Sequence, residues 1–181
     1  MYGWHRSCLT RGMSRECVPW PDGPACRGSR RYFLTICTFH RTHAFRKDPI
    51  VEGVLTQLRH HAIVHRFAIH AYCFMPNEVH LPLEALSRTS ELRRFVRDWK
   101  RRTTFDYRNT TGRDLWQRGH LHHALHPDED TDVVMRYVLG ALVRAGFVTH
   151  VKEYRYAESD TNATDDVPSR AVEPETRERT R

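Results

Sequence analysis

Apolar positions gather into short blocks and helical stripes between about residues 31 and 158 and thin out toward both ends. Tyr32-Phe33-Leu34-Thr35-Ile36-Cys37-Thr38-Phe39 is rich in β-branched and aromatic residues and stops at the polar His40-Arg41-Thr42-His43, which predicts a first strand, central in a sheet. Asp48-Pro49 offers a helix start, with Asp as N-cap and Pro at the first helical position. Ile50, Val54, Leu55, Leu58, Ala62 and Ile63 then recur at helical spacing to about Arg66. Phe67 to Phe74 predicts a second strand, Pro76-Asn77 a turn and Glu78 to Leu86 a third strand, giving the order β-α-β-β.

Ser90 is placed to cap a helix starting at Glu91, with Leu92, Phe95, Val96 and Trp99 as its apolar stripe. Asn109-Thr110-Thr111-Gly112 reads as a turn, and an irregular stretch follows from Leu115 through His120, His122, His123 and His126. Pro127-Asp128-Glu129-Asp130 supplies the acidic first turn of a last helix, running from about Glu129 to Val143 or Arg144, with Val133, Val134, Tyr137, Val138, Ala141 and Leu142 apolar and Gly146 as its stop. Phe147-Val148 and Tyr154-Arg155-Tyr156 are candidates to pack back on the domain. Residues 1–30, with scattered Trp, Pro, Gly and Arg and no period, read as a poorly ordered leader, and residues 159–181, nearly free of apolar side chains, as a disordered polar tail. One domain over 31–158 is the expectation.

Charge sharpens this outline. Lys and Arg outnumber Asp and Glu by 29 to 22, a formal net charge of +7, which favours a polyanionic partner. The excess is densest on the helix after Ser90, where Arg93, Arg94, Arg97, Lys100, Arg101 and Arg102 crowd the polar face, with Arg118 soon after. A solvated face is the bland account of such a helix, but the heavy excess over Asp98 points to phosphate contact. The five cysteines form no C-x-x-C pair, so neither a zinc ribbon nor a disulfide framework follows, and the spacing of Cys8, Cys17 and Cys26 near His5 reads as unstructured thiols before it reads as a metal site. No apolar run reaches the roughly 18–20 residues of a membrane span, and the N-terminus lacks an apolar signal core. A cytoplasmic location with no membrane partner is expected.

The chemistry-bearing stretch is Met75-Pro76-Asn77-Glu78-Val79-His80. Glu78 and His80 stand at i, i+2, so on a strand they leave the same face, where a carboxylate and an imidazole can converge on one metal ion. Two ligands alone do not make a site. The clustered histidines 120–126 lack helical or strand pairing with an obvious partner, and Tyr137, on a largely apolar helix, reads by itself as a core residue.

Taken together, Ala71-Tyr72-Cys73-Phe74-Met75-Pro76-Asn77-Glu78-Val79-His80-Leu81-Pro82-Leu83-Glu84, Leu115-Trp116-Gln117-Arg118-Gly119 and Arg136-Tyr137-Val138 through Val143-Arg144-Ala145-Gly146-Phe147-Val148 resemble the insertion-sequence-200-like tyrosine transposases of the HUH class, nearest to their REP-associated branch. The resemblance spans roughly Arg31 to Asp160. It implies an α/β (α+β) fold with a ferredoxin-like antiparallel sheet and helices packed on it, and a homodimer acting on single-stranded or hairpin DNA. It also implies that Tyr137 is the nucleophile, leaving a 5′-phosphotyrosine and a free 3′-hydroxyl, with Mg²⁺ or Mn²⁺ at the metal pair polarising the scissile phosphate.

The sequence departs from that pattern at three points. Glu78 stands where the family has its first metal histidine, while His80 keeps the second; Ala141-Leu142 replaces the Asn-Pro after the tyrosine; and His122 sits at an acidic position. Carboxylate oxygen suits Mg²⁺ or Mn²⁺ as well as imidazole does, but Ala141 supplies no ligand. Two readings therefore stand: a strand-cleaving enzyme using Tyr137, Glu78 and His80, and a catalytically impaired relic or domesticated non-catalytic DNA-binding protein. An RNA-binding domain is a weaker third, since Tyr32 to Phe39 and Phe67 to Phe74 show no aromatic platform.

Overall fold

The structure, a computed structural model, describes residues 31–125 and 131–159. The expected leader, His126, the acidic Pro127–Asp130 turn and nearly all of the expected tail lie outside the described residues. The elements run β1 (Arg31–Cys37), α1 (Asp48–His65), β2 (Phe67–Ile69), β3 (Ala71–Met75), β4 (Glu78–Ala85), α2 (Leu92–Thr111), β5 (Leu121–Ala124), α3 (Thr131–Arg144) and β6 (Ala157–Ser159).

All pairings in the six-stranded sheet are antiparallel, in the order β5-β1-β4-β3-β6, with β2 also on β4. The expected second strand is present but broken. Ile69 pairs with Leu83 and Cys73 with His80, so three residues of one strand oppose two of the other, which is a β-bulge. It falls opposite Pro82. The His70 N–H donates to the Pro82 carbonyl at 3.1 Å, so Pro82 turns its backbone, which has no N–H to give, toward the bulge. With β2 and β3 counted as one bulged strand, β5-β1-β4-β2/β3 is the strand order of the ferredoxin-like β-α-β-β-α-β unit, to which α3 and β6 are added.

Alternation along β1 and β4 separates two faces. Tyr32, Leu34, Ile36, Val79, Leu81, Leu83 and Ala85 belong to the main core with Val51, Val54, Leu55 and Leu58 of α1 and Leu92, Phe95, Val96 and Trp99 of α2. The α1 stripe differs from expectation: Val51 is fully buried, whereas Ile63 is 80% exposed, because the helix rolls its contact line to positions 51, 54, 55, 58 and 62. On the opposite face Phe33, Cys73 and Met75 pack with Leu125 and with Val134, Val138 and Leu142 of α3.

Three local expectations are corrected. Ser90 does not cap α2; its hydroxyl donates to the Arg66 carbonyl at 2.9 Å, and Glu91 holds the N-cap position without a side-chain cap. Asn109 to Thr111 continue α2 rather than turning, because Gly112, at φ 71°, takes the left-handed conformation that closes the helix, its N–H donating to the Arg108 carbonyl. The histidine stretch is not irregular throughout: Leu121–Ala124 is strand β5, paired with Tyr32 to Thr35. At the far end Tyr156 is buried, and the Tyr154 hydroxyl donates to the Phe74 carbonyl at 2.7 Å, which places β6 beside β3. Among the described residues no helix is long and apolar enough to cross a membrane.

Candidate functional site

Glu78 and His80 open β4, directly after the Pro76-Asn77 turn, and pair with Cys37 and Thr35 of β1. Their shared face is the one that carries α3. Glu78 is buried, and its Oε1 lies 3.4 Å from His80 Nε2. His80 is fixed from two sides, by a 2.9 Å hydrogen bond between its Nδ1 and the Thr35 hydroxyl and by stacking on Phe33 at 5.9 Å between ring centres.

The other oxygen of Glu78 is engaged too. Oε2 accepts from Arg41 Nη1 at 2.8 Å and from the Cys37 thiol at 3.8 Å. Burial alone would raise the Glu78 carboxyl, but hydrogen bonding and charge from His80 and Arg41 outweigh it and hold the group below the usual carboxylate value. The sequence pair Glu78-x-His80 is thus brought together as expected, within a cluster to which Arg41, Thr35 and Cys37 also contribute.

As arranged, these groups do not fit a divalent ion. One carboxylate oxygen is held by a guanidinium, the other faces the ring nitrogen that a metal would need, and among the described residues no group of three His, Cys, Asp or Glu stands ready to ligate. Of the histidine cluster, His120 is buried and lies 5.4 Å, ring to ring, from His122. Burial, with the nearby Lys100 charge, pushes the His120 imidazole down to about 3, so it is neutral at ordinary pH.

Tyr137 sits on α3, one position before the buried Val138, on the helix that covers the Glu78–His80 face. It is half-buried, with the Arg144 guanidinium 4.2 Å over its ring and Arg144 Nη2 donating to its carbonyl at 2.7 Å.

The basic helix is well defined. Trp99 and its apolar companions are buried against the sheet and α1, which turns Arg93, Arg94, Arg97, Arg101 and Arg102 outward. Arg94, Arg97, Arg101 and Arg108 follow one another along a single exposed stripe, and Phe105, 59% exposed, falls on it between Arg101 and Arg108. Phe105 did not stand out in the sequence as part of this surface, although its spacing of four from Arg101 is legible there. Lys100 behaves differently: its ammonium donates to the carbonyls of Gln117 and Gly119 at 2.7 and 2.8 Å, holding the loop that presents the exposed Arg118. That loop continues the Leu115-Trp116-Gln117 segment, which runs beside the end of β1 through Phe39 N to Leu115 O and Gln117 N to Cys37 O.

No protein-family profile and no curated protein matches the chain. Among solved structures it is similar to a REP-associated tyrosine transposase bound to a REP hairpin, with a TM-score of 0.58 and 17% identity over 77% of this chain and 81% of the other. It is also similar to a "putative transposase" from Deinococcus radiodurans R1, with a TM-score of 0.47 and 21% identity over 60% of this chain and 88% of that one. The six-stranded antiparallel sheet with helices on it is therefore the fold of a REP-associated tyrosine transposase.

Proposed function

We propose that the chain is a DNA-binding protein of the transposase type, which holds hairpin or single-stranded DNA against α2 and the Arg118 loop. The observation that carries this reading is the exposed stripe of Arg94, Arg97, Arg101 and Arg108 on a fold whose solved counterpart is bound to a DNA hairpin. Arginines at this spacing meet successive phosphates without reading sequence, and an exposed phenylalanine among them offers an unstacked base a flat apolar partner. The resemblance adds a homodimer as the assembly on DNA.

A second reading, strand cleavage by Tyr137, is favoured by one observation: α3 carries Tyr137 across the same sheet face that bears Glu78 and His80. In that reaction the tyrosyl oxygen forms a bond to phosphorus as its proton leaves to solvent. The bond from phosphorus to the 3′-oxygen breaks, and that oxygen takes up a proton from solvent, giving a 5′-phosphotyrosine and a 3′-hydroxyl. The altered pair makes impaired cleavage the better expectation.

Labelled hairpin DNA distinguishes the two. Binding in gel shift that weakens steeply with salt, indifferent to chelator and to Tyr137→Phe, is expected for the first reading. A covalent adduct on denaturing gels, formed with Mn²⁺ and absent in Tyr137→Phe, establishes the second. Absence of salt-sensitive binding to any hairpin or single strand overturns both.

A further inference from the structure

The Glu78–His80 pocket already contains a positive charge. Arg41 reaches Glu78 Oε2 at 2.8 Å from a short turn, Phe39–Arg41, that leaves β1. The turn is costly to build. His40 and Arg41 take φ of 49° and 55°, two successive left-handed residues neither of which is glycine. Their conformation is imposed by fixed neighbours: the Thr38 hydroxyl donates to the carbonyls of Thr42 and Asn77 at 2.7 and 3.1 Å, and the Thr38 N–H donates to Asn77 at 3.0 Å. The segment bearing Arg41 is thereby stitched to the turn immediately before Glu78. A backbone held in this state to deliver one side chain to one buried carboxylate points to a purpose for the pair.

We propose that Arg41 is the resident cation of this pocket, and that it excludes divalent metal from Glu78 and His80. A carboxylate whose side chain is 10% exposed requires a counter-charge, and the guanidinium supplies it. A divalent ion approaching Glu78 must either share the carboxylate with that guanidinium, against like-charge repulsion, or displace it. It must also take the Nε2 position of His80, which faces Glu78 Oε1 at 3.4 Å. A guanidinium stays charged across the accessible pH range and cannot be removed by a chelator, so the pocket's positive charge is independent of metal supply.

Manganese binding to the full chain, followed by the loss of the free Mn²⁺ electron paramagnetic resonance signal, tests this without any assay of cleavage. The wild-type protein is expected to take up Mn²⁺ weakly. Arg41→Gln, neutral and of similar length, should bind at least tenfold more tightly, and the gain should vanish in Arg41→Gln with Glu78→Gln. Arg41→Lys, which keeps the charge, should stay weak. Micromolar uptake by the wild-type chain that is lost in Glu78→Gln overturns the proposal with no Arg41 variant required. A folded Arg41→Gln, judged by circular dichroism, that gains no affinity overturns it as well.

Discussion

The indole N–H of Trp116 donates to the hydroxyl of Thr103 at 2.8 Å, and that hydroxyl donates in turn to the Trp99 carbonyl at 2.8 Å. All three residues are buried, and the two indole rings lie 5.2 Å apart. This relay joins the basic helix to the Leu115-Trp116-Gln117 segment, so the stripe on α2 and the Arg118 loop are held as one surface. Thr103→Val preserves shape but leaves the indole N–H without its acceptor, and it should destabilise the protein by about 1–3 kcal/mol. Urea unfolding reads the loss, and Thr103→Ser should restore most of it.

Acid should weaken the fold well before carboxylates titrate. His120 is 4% exposed, with its imidazole pushed down to about 3 by burial, while in the unfolded chain it protonates near 6.5. Between those values the unfolded state binds the extra proton, so stability is full above about pH 6.5 and falls as pH drops toward 3. By pH 4 the loss from this group alone should be about 3 kcal/mol. The imidazoles of His61 and His65 are lowered in the same direction, first by burial. Thermal melts of wild type and His120→Gln across pH 4 to 7 check this; the variant should show a visibly flatter dependence.

The α2 stripe predicts two separable effects on DNA. Changing Arg94, Arg97 and Arg101 to Gln should weaken all sequences alike, and should reduce the slope of log affinity against log salt by roughly 0.7–0.9 for each phosphate that is no longer neutralised. Phe105→Ala should leave that slope unchanged and cost about 1–3 kcal/mol with single strands, where a base is free to stack, and little with duplex. Fluorescence anisotropy over a salt series separates the charge effect from the stacking effect.

Much of the scaffold was legible because its periods are strong. The Leu92, Phe95, Val96 and Trp99 stripe pointed to α2 and its buried face, and the i, i+2 spacing placed Glu78 and His80 on one side of a strand. What escaped depended on contacts distant in sequence. Ser90 has the chemistry of an N-cap, yet the Arg66 carbonyl, 24 residues earlier, claims its hydroxyl. Arg41 read as the polar end of a strand, since only the antiparallel pairing of Cys37 with Glu78 brings its turn to that carboxylate. The bulge was invisible for a similar reason: a proline in an apolar run is a local observation, and which neighbour its nitrogen faces is not.

That bulge sets a frame for everything downstream of it. A side chain in a strand has only two choices of face, so a slip of one residue in the pairing of β3 with β4 would move Cys73 and Met75 to the opposite side of the sheet from α3. The extra residue near His70 is taken up opposite Pro82, whose carbonyl accepts the His70 N–H and whose nitrogen has no N–H to leave unpaired there. Pro82 therefore works as a punctuation mark, keeping Cys73 against His80 and Met75 against Glu78.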